Sequence, residues 1–234
     1  MRKSLLSVLA AGTALFGHSA SATQFDVEIV NLTNAINFTP FLVAAHPEGT
    51  SLFATGEPAS ANLQAMAEGG DISGLVADVN SLGATVVENP AGGLLGPASS
   101  TTFSMNTDGT SNDRLTIVAM LLPTNDGFAG LNAVAIPTEP GTYVFNVPAY
   151  DAGTEANDEI VNGGGAPGAP GIPADPSGLS GTGGTGAAEA DANGNVHIHR
   201  GALGDTDPTG GVSDIDSRVH RWLNPVIRVI VTVQ

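Results

Sequence analysis

Short segments with strand periodicity dominate the hydrophobic pattern of the chain. Residues 25–29 alternate apolar and acidic side chains, and residues 101–105 alternate in a similar way. A period of two is typical of a strand with one buried and one solvent-exposed face. Residues 115–122 are almost continuously apolar and predict a strand that is buried on both faces. Residues 143–147 and 226–233 bring the set to at least five predicted strands.

Helical patterns are few and short. One helix is predicted from Pro58 to a stop at the Gly-Gly pair 69–70, because proline favours the first helical turn and glycine the end. A second helix follows Asp71, whose carboxylate can cap it. Its apolar side chains recur at i, i+3, i+4 and i+7, namely Ile72, Leu75, Val76 and Val79. The pattern therefore predicts an all-β fold, a β-sandwich with short helical insertions.

Three segments define the predicted domain organisation. Residues 1–22 have a basic start, a short apolar run and a small-x-small site near Ala22, which predicts a cleaved signal peptide and a secreted or periplasmic protein. Residues 23–234 form one domain, and nothing in them approaches a membrane span. Residues 162–187 are rich in glycine and proline and predict a flexible insertion within that domain.

The charge balance narrows the classes of partner. The chain has 7 basic and 23 acidic residues, a formal net charge of −16. Such a surface repels phosphate backbones and anionic lipids, so nucleic acid is not an expected partner and divalent cations are favoured. The chain has no cysteine, which excludes disulfides, zinc-thiolate sites and thiol nucleophiles.

Carboxylates follow two of the predicted strands. Asp126 comes just after the strand that ends near Pro123, and Asp151 and Glu155 come just after the next predicted strand. If both strands leave the sandwich at the same end, these three side chains converge, and like-charge repulsion then requires a counter-charge. Ca²⁺ meets that requirement, since it takes six to eight hard oxygen ligands. A solvated acidic loop is the alternative interpretation from spacing alone.

The amino-acid sequence of these segments resembles that of the spondin domain. This domain is the amino-terminal module of F-spondin and mindin, and it also occurs in stand-alone secreted bacterial proteins. The similarity rests on Pro123-x-x-Asp126-x-Phe128-x-Gly130-Leu131 and on Tyr150-Asp151-Ala152-Gly153-Thr154-Glu155. Two further segments fit the family, residues 63–69 and the closing residues 222–229. The resemblance covers about residues 24–159 and then 195 to the end.

The resemblance implies a C2-like antiparallel β-sandwich that binds calcium through loop carboxylates. Carried over by position, the implied ligands are Asp126, Asp151 and Glu155. Glu155 stands where the animal domains have aspartate, Asn132 stands in place of another aspartate, and Gly127 replaces a tryptophan. The cysteines of the animal domains are also missing, so receptor binding of the animal type is not expected.

Two other candidates have a more ordinary interpretation. Residues 189–195 imitate the first half of a calcium loop, but Arg200 occupies the position of the required glutamate, so a polar turn is predicted. His197 and His199 share one strand face, and His220 could join them as a metal site. Because no carboxylate spacing completes a zinc pattern, a surface histidine pair is the favoured interpretation.

Three functional hypotheses follow. The first is a secreted, calcium-binding, non-catalytic module of the adhesion or matrix type, whose partner is an extracellular protein or glycan. The second is a metal-dependent exported hydrolase that uses the same carboxylates or the histidine pair. The third is an ion-free structural sandwich. No nucleophile elbow, metalloprotease motif, phosphate loop or dinucleotide loop occurs in the sequence, which favours a non-enzyme.

Overall fold

The computed structural model describes residues 24–188 and 194–234, and the predicted signal peptide and most of the calcium-loop imitation lie outside them. The strands are β1 (Gln24–Asn31), β2 (Asn37–Phe38), β3 (Leu42–His46), β4 (Thr85–Glu88), β5 (Ser100–Asn106), β6 (Arg114–Leu122), β7 (Gly127–Ala135), β8 (Gly141–Val147), β9 (Ala149–Asp151), β10 (His197–Ile198) and β11 (Ile227–Val233). The two helices of the described residues, α1 (Ala61–Gly69) and α2 (Ser73–Ser81), lie between β3 and β4.

The strands form two antiparallel sheets. One has the order β5-β1-β11-β8, and the other has the order β10-β9-β7-β6-β3-β4, with β2 paired to β6 beside this path. The chain passes from the first sheet to the second at Pro148, between β8 and β9. The predicted all-β sandwich is therefore confirmed, and all five predicted strands are present.

The main core lies between the sheets, where the period of two places alternate side chains. In β1 the apolar residues Phe25, Val27 and Ile29 are fully buried, whereas their acidic neighbours are partly exposed. Opposite them, β11 buries its own alternate residues in register, so that Val27 pairs with Val231. Burial of this kind contributes about 25 cal/mol per Å² of apolar surface.

The two helices form a third layer on the outer face of the larger sheet. This explains why β6 is apolar throughout: one of its faces meets the core between the sheets and the other meets the helices. Leu63 and Met66 of α1 and Leu75 and Val79 of α2 supply the buried side of this layer. The predicted helices thus pack on the sheet.

Capping residues determine the helix boundaries, and one helix begins later than predicted. The α1 helix starts three residues after the predicted Pro58, because the Ser60 side chain accepts the backbone N–H of Leu63 and serves as the N-cap. It ends where Gly70 adopts a left-handed φ of 73°, as predicted. The Asp71 carboxylate accepts the N–H of Ser73 at the start of α2.

The glycine- and proline-rich segment 162–187 has no helix or strand, yet parts of it contact the domain. Ile172 is fully buried and forms an isolated bridge with Val161. The backbone N–H groups of Gly168 and Gly171 donate to the buried carboxylates of Glu68 and Glu155. The segment therefore covers one side of the region that contains the predicted metal ligands. Its flexibility stays a prediction.

Candidate metal centre

Strand pairing brings the two predicted aspartates together. Asp126 lies in the turn between β6 and β7, and Gly127, the first residue of β7, pairs directly with Asp151 at the end of β9. The backbone N–H of Ala152 donates to the carbonyl oxygen of Asp126 at 3.1 Å. The proximity of Asp126 and Asp151 therefore arises from adjacent antiparallel strands, one at its beginning and the other at its end.

The Asp126 carboxylate faces the loop that follows β9. Its Oδ2 accepts the backbone N–H groups of Thr154 at 2.8 Å and Glu155 at 3.1 Å, and the Thr154 hydroxyl at 3.2 Å. Its Oδ1 is buried and has no hydrogen-bond partner among the described residues. Because a buried charged oxygen without a partner is costly, this atom is suited to a ligand.

The other two predicted ligands are also buried. Asp151 accepts the backbone N–H of Gly153 at 2.8 Å through Oδ1 and the Asn157 side chain at 2.7 Å through Oδ2. Glu155 Oε2 accepts the backbone N–H of Gly171 at 3.1 Å. Glu155 Oε1, like Asp126 Oδ1, has no partner in the described part of the chain. The loop thus holds three carboxylates and leaves two of their oxygens available.

Burial and mutual repulsion disfavour the charged forms of these groups. Burial raises the pKa of Asp126 to about 6, and the negative charge of Asp151 adds to the rise. Burial raises the pKa of Glu155 to about 7, with contributions from Glu68 and Asp126. No arginine or lysine in the described segments forms an ion pair with any of the three predicted ligands.

The histidines differ from the expected surface pair. His199 is only 6% exposed, so that expectation is wrong for this residue. Its ring packs against Trp222 with 5.0 Å between centroids, and its Nε2 is buried without a partner within the described residues. His197, half-buried, pairs with Asp151 across β9 and β10, with Nε2 3.7 Å from Asp151 Oδ2. His220 lies elsewhere, with Nε2 3.0 Å from Ser177 Oγ.

Burial determines the charge state of His199. Removal from water lowers its pKa to about 4. The negative charge of the nearby Asp151 carboxylate acts in the opposite direction but offsets only part of this decrease in pKa. The imidazole is therefore neutral at physiological pH. Its Nδ1 accepts the backbone N–H of Gly201 at 3.0 Å, so the remaining proton lies on Nε2, which is a donor.

The donors of this region are mainly carboxylate and amide groups, which suit a hard cation, although they do not form a preassembled metal-binding cluster in the described residues. In the described residues no group of three or more histidine, cysteine, aspartate or glutamate side chains is arranged to hold a metal ion. Calcium also takes oxygens from backbone carbonyls and amide side chains, which such a grouping leaves out. Asn125 and Asn157 supply amide groups beside the carboxylates, where they bond Glu155 and Asp151. Such an ion would bind the two oxygens, Asp126 Oδ1 and Glu155 Oε1, that have no hydrogen-bond partner in the described residues.

One contributor to this region was missed in the sequence. Glu68 on α1 is fully buried, and its charge raises the pKa of Glu155. It accepts the Gln64 side chain at 2.8 Å and the backbone N–H of Gly168 at 2.6 Å. The available signal was a glutamate on the apolar side of a predicted helix, beside Met66 and Ala67, where a charge is unexpected.

Comparison with known proteins identifies the family of the chain. No curated protein matches the chain at a significant level. A family model described as Spondin_N matches residues 18–160, which include α1, β6, β7, β9 and all three predicted ligands. Because the match extends over more than half of the chain, the protein belongs to the spondin N-terminal domain family.

Proposed function

We propose that this protein is an exported, calcium-binding, non-catalytic module of the adhesion or matrix type, in which Asp126, Asp151 and Glu155 hold the ion. Bound Ca²⁺ would supply positive charge to the loops between β6 and β7 and after β9. In the described residues there is no helix long and apolar enough to cross a membrane.

The observation that carries this proposal is the missing counter-charge. Asp126 and Glu155 are almost fully removed from water, and each keeps one oxygen that no described residue bonds. Their charges repel those of Asp151 and Glu68. A group buried in this way either takes up a proton or finds a cation. The surroundings are rich in oxygen atoms and therefore favour calcium. The side chains of Thr154, Asn125 and Asn157 lie beside the carboxylates and bond them.

The binding role is supported by family membership and by the position of the proposed ligands at one end of the sandwich. Calcium would fix the loop after β9 against the β6–β7 turn and so order one end of the sandwich, where a partner would bind. The chain contains none of the common hydrolase motifs, which favours binding over catalysis.

A calcium titration of the purified protein tests the proposal. Thermal unfolding followed in EDTA and at increasing Ca²⁺ should show a rise in melting temperature that saturates at millimolar concentration, because an ion that binds only the folded state stabilises it. Magnesium at the same concentration should give a smaller rise, since it needs a tighter octahedral shell. A melting temperature unchanged at 10 mM Ca²⁺ would leave the ion-free structural sandwich.

The pair of His197 and Asp151 favours a second candidate, the metal-dependent hydrolase. Nε2 of His197 lies 3.7 Å from Oδ2 of Asp151, an imidazole and a carboxylate of the kind that bind a transition metal, and the neutral ring of His199 lies nearby. Elemental analysis of protein purified without chelator separates the two candidates: zinc or manganese at one equivalent supports the hydrolase, and calcium supports the binding module.

A further inference from the structure

An open cleft of about 480 Å³ has Tyr150 in its lining but none of the three predicted metal ligands. Its walls come from the loop 51–55, from β7 and from the end of β8 with Pro148. The cleft is lined by Ser51, Phe53, Ala54, Thr55, Gly130, Leu131, Asn132, Val134, Asn146, Val147, Pro148 and Tyr150. Its volume lies within the range of small-ligand sites.

Among the described residues the lining contains no charged side chain, although the chain carries a net charge of −16. Its polar groups are amides and hydroxyls, and its apolar groups include the rings of Phe53 and Tyr150. A cation gains no direct partner in this cleft, and the field of the whole protein repels an anion. The complementary ligand is therefore neutral, with hydroxyl groups for the amides and apolar C–H faces for the rings.

One wall of the cleft is already fixed. Asn132 accepts the backbone N–H of Leu52 at 3.2 Å and donates to Ser51 Oγ and the carbonyl of Phe53. The Phe53 ring lies on the bare backbone of Gly130, where a Cβ would come within 2.5 Å of the ring. Phe53 also packs edge-on to Tyr150 at 4.9 Å between centroids. A wall held in this way loses little conformational entropy when a ligand binds.

Three side chains of the lining keep polar groups that can bond a ligand. The hydroxyls of Tyr150 and Thr55 have no hydrogen-bond partner within the described residues, and Asn146 uses only its oxygen, towards Arg228. A donor or acceptor that is bonded to water in the free protein can exchange that water for a ligand hydroxyl.

We propose that this cleft binds a neutral oligosaccharide, through hydrogen bonds from Tyr150 and Asn146 and contact with the aromatic wall. The proposal specifies the partner class of the binding module and in that sense rests on the proposed function. An extended peptide fits less well, because the cleft exposes only the last residues of β8 and includes Pro148, which has no N–H.

Saturation-transfer NMR with cellotriose, maltotriose and chitotriose tests the proposal on the full-length protein. At least one of these neutral trisaccharides should bind, and Tyr150→Phe and Asn146→Ala should each weaken its binding about three- to tenfold, as expected for a lost neutral hydrogen bond. The matched control is Tyr143→Phe, since the Tyr143 hydroxyl donates to Glu139 outside the cleft. This variant should bind like the parent protein.

Three results would overturn the proposal. They are no binding of any of the three sugars at 20 mM, binding that both cleft variants leave unchanged, and binding of trigalacturonate or of a neutral threonine-valine hexapeptide in place of the neutral sugars. The measurement is repeated in EDTA. Sugar binding without a calcium response would contradict the ion site alone, whereas a calcium response without sugar binding would contradict the cleft alone.

Discussion

Asp126→Asn provides the sharpest test of the metal centre, because its effect should change sign with calcium. The rise of the Asp126 pKa from 3.8 to about 6 corresponds to about 3 kcal/mol against the charged carboxylate in the folded protein. Asparagine is uncharged and retains an acceptor for Thr154 and Glu155. Its amide group, however, replaces the unpartnered Oδ1 with a buried donor that costs about 1–2 kcal/mol. In EDTA at pH 8 the variant should be about 1–2 kcal/mol more stable than the parent.

Calcium should reverse this order. An ion with the affinity of extracellular modules, about 10⁻⁴ M, stabilises the parent by about 2.7 kcal/mol at 10 mM. For a domain of this size that gain corresponds to about 5–10 °C in melting temperature. Asp126→Asn removes a charged ligand and should respond little, so the parent becomes the more stable protein.

The assay is urea unfolding at pH 8 and pH 4, in EDTA and in 10 mM Ca²⁺. The sign of the pH effect follows from the raised pKa: the folded protein binds the extra proton, so the penalty is present above pH 6 and is lost as the pH falls towards 4. The advantage of Asp126→Asn in EDTA should therefore disappear at pH 4. Asp108→Asn, at an exposed loop position, is the charge-matched control and should show neither effect. A variant that is destabilised in EDTA and still responds to calcium like the parent would refute the reasoning.

Three further predictions concern the same end of the sandwich. Glu68→Gln removes a negative charge near Glu155 and should lower the Glu155 pKa from about 7, as measured by carbon-13 NMR titration; an unchanged value would contradict the coupling. Calcium affinity measured by calorimetry should fall between pH 8 and pH 5, because Glu155 and Asp126 take up protons in that range, and a constant affinity would argue against these ligands. Phe128→Ala, which removes a fully buried ring stacked on Tyr150, should cost about 3–5 kcal/mol in urea unfolding, whereas a cost below 1 kcal/mol would contradict the packing.

Local periodicity was sufficient to predict the fold. The alternation in β1 gives the correct buried face, and the continuous apolar run in β6 predicts burial on both sides, although not that one side meets helices. The strand pairing that brings Asp126 to Asp151 was expected only on the condition that both strands end together, because register between distant segments is not local information.

The parts of the site that were missed all depend on long-range packing. His199 is buried because Trp222 lies against it, and nothing in the short strand around His199 indicates that partner. Glu68 lies one hundred residues from Gly168, whose N–H it accepts. Hydrophobic periodicity can place a residue on a face of its element, but it does not identify what covers that face.

The strong acidity of the chain had suggested divalent cations in general, and the hydrogen bonds make that inference specific. Several buried carboxylates need no ion, since backbone N–H groups already surround them. Glu159 accepts from Leu203, Gly204 and Ser213, and Asp214 accepts from Val161 and Gly184. Peptide dipoles compensate these charges in the way that a cation would.

Asp126 and Glu155 differ from Glu159 and Asp214 in one respect. Each of the first pair has a buried oxygen with no partner in the described residues, whereas all four carboxylate oxygens of the second pair accept a hydrogen bond. Net charge cannot distinguish the two pairs, because each residue contributes one negative charge. The position of unbonded carboxylate oxygens, and not the number of acidic residues, therefore indicates where a cation would bind. Calcium should shift the carboxyl carbon-13 signals of Asp126 and Glu155. The signals of Glu159 and Asp214 should not change.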